Sequence, residues 1–97
     1  MKQFKVDAYV METLLPDLVL HDRQPSAFLV YLHLWYCSAR RAAPVRASHQ
    51  DIVSATGLSK SAVQAAVRTL VRRHLVRASR DGVTAVPCYT VLRPWRR

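Results

Sequence analysis

Lys60, Ser61, Gln64, Ala65, Arg68 and Arg72 follow one another at the steps that bring side chains to one face of a helix. Most are hydrogen-bonding groups, several on long stems, able to reach base edges and phosphates in a groove of duplex DNA. Ala65, small and in their midst, lets the helix axis approach closely or touch a thymine methyl. Lys60 carries the point further: a positive charge in the first turn of a helix opposes the macrodipole, and an anion such as a phosphate at that end resolves the conflict. Arg72 and Arg73 have a simpler explanation as well, since cations near a helix C-terminus are favoured without any ligand.

The elements that must hold this face in place are readable around it. Val63, Val67 and Leu70 recur at i, i+4 and i+7, with Ala66 beside them, so the opposite side of the same helix is core. Before it, Ser48 and Asp51 have the spacing of a capping box that opens a first helix, whose buried side is supplied by Ile52 and Val53. That helix stops at Thr56-Gly57, where glycine takes up a left-handed conformation at little cost. Leu58 plugs the corner and Ser59 caps the second helix.

Fifteen Lys and Arg against six Asp and Glu give a formal charge of +9 in 97 residues, a surplus that predicts a polyanionic partner, nucleic acid being the commonest. The length suits one domain with a modest core. Cys37 and Cys88 lack CxxC spacing and suggest no disulfide framework, which fits a reducing cytoplasm. No apolar stretch has the length of a membrane span, and no signal-peptide pattern opens the chain. Enzyme chemistry finds little support: Ser48, His49 and Asp51 contain triad letters, but on one capping turn they are not expected to converge. The histidines and cysteines show no metal-ligand spacing, and no glycine-rich phosphate loop occurs. No catalytic residue, metal or cofactor is expected.

From the start of the chain, Met1 to Val6 reads as a short strand or an ordered arm. Asp7 is expected to cap a helical turn through Val10, Met11, Leu14 and Leu15, which Pro16 interrupts before a second piece, Asp17 to His21. This segment either packs on the domain's own core or forms a dimer contact. Pro25-Ser26 opens a helix to about Arg40 with apolar residues on nearly all sides, which belongs at the centre of the fold or between two subunits. Val45 to Ala47 is a very short strand that brings Arg46 close to the first motif helix. Leu75 to Ser79 is a strand, and two pairings compete for it. A tight Asp81-Gly82 hairpin uses Val83 to Val86, whereas a longer loop from Arg80 to Pro87 uses Cys88 to Leu92. The tail, residues 93–97, is basic and expected to fray.

Taken together, helix, short strand, two-helix motif and β-hairpin resemble the winged helix-turn-helix family of MarR-type and GntR-type regulators over about residues 25–92. Ile52, Gly57, Leu58, Val63, Leu70 and Leu75-Val76 fall on its core and turn positions, and TGLSKSAV matches its turn and recognition-helix start. Val53 departs from a position usually small, and His74 stands where glycine often ends the recognition helix. Residues 1–24, outside the resemblance, are expected to form an arm of short helices that packs on the core or makes a dimer contact. The resemblance implies a mainly α fold with a small β-hairpin (α+β) over residues 25–92. It also implies the recognition helix, about Ser59–Arg73, in the major groove, and the wing, about Arg80–Pro87, on the adjacent minor groove or backbone. The residues expected to touch DNA are Arg46, Ser48, Ser59, Lys60, Ser61, Gln64, Ala65, Arg68, Arg72 and Arg80. The expected function is sequence-specific double-stranded DNA binding by a homodimeric cytoplasmic transcriptional regulator, with no membrane and no small-molecule effector. Replication-initiation or partition modules of plasmids and phages share this physics, and a winged helix used only for protein contacts is the alternative from another class.

Overall fold

Helix α1, Pro25–Arg41, carries apolar side chains around most of its circumference, and the other elements wrap it. Ala27, Val30, Tyr31 and Leu34 are fully buried and Phe28 and Trp35 nearly so, which makes α1 the centre of this chain's own core. The computed structural model describes residues 3–41, 44–80, 82 and 86–96, and these form a mixed α and β architecture. After α1 come β1 (Val45–Arg46), α2 (His49–Thr56), α3 (Lys60–Arg72), β2 (Val76–Ser79) and β3 (Cys88–Val91). The three strands make an antiparallel sheet in the order β1-β3-β2.

The sheet resolves the choice between hairpins. Val76 pairs with Val91 and Ser79 with Cys88, so the longer connection from Arg80 to Pro87 is the one present. This register puts Tyr89 and Val91 into the core, with Cys88 and Thr90 on the other face. Asp81 and Val83 to Ala85, on which the tight alternative depended, lie outside the described residues. On its other edge β3 receives β1, with Val45 opposite Tyr89 and Arg46 opposite Cys88.

Before α1 the chain departs from its expected form. Pro16 does not interrupt the helix: Leu15 and Pro16 both have right-handed helical angles, between the segments Val10–Leu14 and Asp17–His21. In both segments the backbone bonds are widened, with Leu15 N–H donating to the Val10 carbonyl and Asp22 N–H to that of Asp17. The physical reason lies in proline itself, which lacks the N–H of a normal turn and crowds the carbonyl four residues back; a wider turn relieves both. Val10, Leu14 and Leu18 from this segment are buried in the core.

Asp7 does not cap that helix with its side chain. Its carbonyl accepts from Val10 N–H at 3.0 Å, while its carboxylate accepts from Trp95 Nε1 at 2.8 Å and from Arg96. The tail is therefore docked rather than frayed through Arg96. Trp95 stacks on Tyr9 with ring centroids 4.5 Å apart, and Arg93 lies 4.4 Å over the Trp35 ring. Of the arm, residues 3–6 are described and are not a strand: the Lys5 carbonyl accepts from Trp35 Nε1 at 2.7 Å, and Phe4 meets Tyr36 edge-on.

Candidate functional site

Local chemistry builds α2 and α3 as the spacing predicts. Ser48 Oγ accepts from Asp51 N–H at 3.1 Å and Asp51 Oδ2 accepts from Ser48 N–H at 2.9 Å, completing the capping box of α2. Gly57 ends α2 at φ 79°, the left-handed region that glycine enters without steric penalty. Thr56 stiffens the same corner, its hydroxyl donating to the Ile52 carbonyl at 2.7 Å and accepting from Leu58 N–H at 3.2 Å. Ser59 then caps α3, accepting from Ala62 N–H at 3.1 Å.

Both ends of α3 are fixed. Val63, Ala66, Thr69 and Leu70 are buried, and Val67 packs against the core from a half-buried position. At the C-terminus His74 has φ 58°, the left-handed position that glycine usually fills. Its N–H donates to the Val71 carbonyl at 3.1 Å and Leu75 N–H to that of Leu70 at 2.9 Å, the two bonds of a Schellman ending, with Leu70 and Leu75 both buried. Arg73 at the cap donates to Asp17 at 2.7 Å and to Asp22 at 2.9 Å, and Thr69 Oγ1 donates to Gln24 Oε1 at 2.7 Å. Hydrogen bonds from Arg73 hold the Asp17 carboxyl below its ordinary range, and the two carboxylates push the Arg73 guanidinium up. Arg73 is thereby an anchor of α3.

On the outward side of α3, Ser59, Lys60, Ser61, Arg68 and Arg72 are exposed and Gln64 and Ala65 half-buried. Among the described residues no hydrogen bond or ion pair holds Lys60, Gln64, Arg68 or Arg72. No Asp or Glu occurs in the sequence between Asp51 and Asp81, a stretch containing six Lys and Arg, of which Arg73 is paired with Asp17 and Asp22 while Lys60, Arg68 and Arg72 give the outward side of α3 its positive charge. The two helix starts differ accordingly. That of α2 is closed by the Asp51 carboxylate, while that of α3 has only hydroxyls and Lys60.

The remaining expected site residues are distributed elsewhere. Arg80 lies at the end of β2, beside a groove of about 250 Å³ between α3 and the hairpin, whose walls include His49, Val67 and Ser79. Ser48 has both its hydroxyl and its N–H engaged with Asp51. Arg46 lines a different cavity with Ala47, Asp51 and α1. Ser79, which the sequence did not single out, and His49, noted there only among the triad letters, line this groove, whereas Arg77 is exposed on β2 opposite Thr90, on the sheet face away from the core.

Among the described residues no three His, Cys, Asp or Glu gather as a metal site, and no helix is long and apolar enough to cross a membrane. Comparison with protein-family models, curated proteins and solved structures finds no match to this chain.

Proposed function

We propose that this chain is a sequence-specific double-stranded DNA-binding protein of the winged helix-turn-helix type, acting as a transcriptional regulator. Helix α3 enters the major groove, and the loop between β2 and β3 lies against the adjacent backbone. The observation that carries this reading is the outer face of α3: a row of basic and amide side chains with no internal partner among the described residues, on a helix anchored by Ser59, Arg73 and the Schellman ending. Gln64 and Arg68 read base edges, with Ala65 admitting close approach, while Lys60, Ser61 and Arg72 contact phosphates. In this proposal the groove lined by His49, Ser79 and Arg80 receives the backbone of one DNA strand between α3 and the wing.

The same reading extends to a homodimer on half-sites about one helical turn apart. Its support is the N-terminal segment, where Met11 is 52% and Leu20 69% exposed although neighbouring Val10, Leu14 and Leu18 are buried.

Selection of bound sequences from random duplex DNA at two salt concentrations tests the proposal. The expected result is a defined motif, with log affinity falling against log salt by about 0.9 per phosphate contacted. Enrichment of no motif at either concentration refutes sequence-specific recognition.

A further inference from the structure

Along α1, Leu29, Leu32, His33, Tyr36, Cys37 and Arg40 form one stripe, at the spacing that keeps residues on a single helix face. Two cavities open on it. One, of about 280 Å³, is bounded by Phe4, Leu29 and Leu32 and by Ala55 and Thr56 at the end of α2. The other, of about 500 Å³, is bounded by Cys37, Arg40, Arg46 and Asp51. His33 and Tyr36 belong to the walls of both, so the two make one groove between α1 and α2.

The groove is graded in polarity. At the Leu29 end its walls are hydrocarbon and aromatic; at the Arg40 end they present two guanidinium groups. Arg40 donates one N–H to the Tyr36 hydroxyl at 3.0 Å, leaving further donors, and among the described residues no ion pair holds Arg40 or Arg46. The carboxylate of Asp51 is engaged by Ser48 N–H. His33, half-buried between the two ends, has its pKa pushed down by burial and adds no charge to the wall near neutral pH. The Arg40 guanidinium folds back one turn to the Tyr36 hydroxyl, so the span to Leu29 is that of seven residues of helix, or about 10 Å at the α-helical rise, close to the length of an extended eight-carbon carboxylate.

We propose that this groove binds a medium-chain carboxylate, its head between Arg40 and Arg46 and its chain along Leu32, Leu29 and Phe4. Charge complementarity selects the head and the apolar end selects the tail, so neither a short anion nor an uncharged chain fills the site alone. The groove does not include α3, and the inference stands independently of DNA binding.

Titration calorimetry of the full chain with octanoate, octanol and butyrate tests it. Octanoate is expected to saturate one site at least about tenfold more tightly than either octanol, which lacks the charge, or butyrate, which lacks the chain. The double variant Arg40→Gln, Arg46→Gln is expected to reduce octanoate to the level of octanol while leaving the circular dichroism spectrum unchanged. Leu29→Ser, at an exposed position, is expected to weaken octanoate and not butyrate. Equal affinity for octanoate and octanol, no saturable octanoate binding, or unchanged octanoate affinity in the double variant would overturn the proposal.

Discussion

The guanidinium of Arg73 lies 2.7 Å from the Asp17 carboxylate, tying the end of α3 to the segment that precedes α1. With Asp22 on its other nitrogen at 2.9 Å, Arg73 is bound within the fold, whereas its neighbour Arg72 is exposed. Arg73→Ala is therefore expected to lower the melting temperature, and Arg72→Ala to leave it nearly unchanged while weakening DNA binding. Calorimetric melting and duplex titration of both variants check this. Equal melting temperatures for the two would contradict the anchoring role.

The same acids set a pH dependence. Arg96, and after it Trp95, hold the Asp7 carboxyl at about 2, below its ordinary value of 3.8, by hydrogen bonding, and Arg73 lowers Asp17 in the same direction. Both groups bind fewer protons in the native state than in the unfolded chain. Their stabilisation is present above about pH 4 and is lost as pH falls through their native values. Thermal melts are expected to show a decline between about pH 4 and pH 2 that is smaller in Asp7→Asn, which starts lower at neutral pH. An undiminished decline in that variant would remove Asp7 from the account.

His74 pays a conformational penalty that glycine avoids. A left-handed residue with a side chain costs roughly 1–2 kcal/mol, part of which glycine returns in unfolded-chain entropy, so His74→Gly is expected to stabilise by about 0.5–1 kcal/mol. Urea unfolding reads the difference directly. A less stable variant would mean that the imidazole makes a compensating contact.

Gln64→Ala and Arg68→Ala are each expected to relax base preference at one position of the bound sequence and to cost about 1–3 kcal/mol of binding. Neutralising Arg80 is expected to weaken all sequences alike and to lower the salt slope. Selection profiles and salt titrations of the three variants separate the two roles; an unchanged profile in both α3 variants would transfer base reading to another surface.

Which of these features were readable in advance follows from how local their physics is. Ser48, Asp51, Gly57 and Ser59 announce themselves because each cap is made within four residues, and the Val63 to Leu70 pattern needs only helix geometry. The hairpin register was undecided because apolar residues occur on both sides of Pro87; burial of Tyr89 against the rest of the fold settled it. The roles of Asp7 and Asp17 are not legible locally because their partners lie 89 and 56 residues away in Arg96 and Arg73, and no local signal links such distant positions. Pro16 signals a break from its sequence alone because proline disrupts four-residue helical bonds, and the widened turns on either side of it, which need tertiary support, leave no local mark.

Backbone amide shifts measured on adding a duplex carrying the selected site test the central claim most directly. The account predicts that the largest changes fall between Ser59 and Arg72 and at Arg80, with little change at Leu29 or Leu32. Changes confined to the N-terminal segment, with α3 unmoved at saturating duplex, would contradict it.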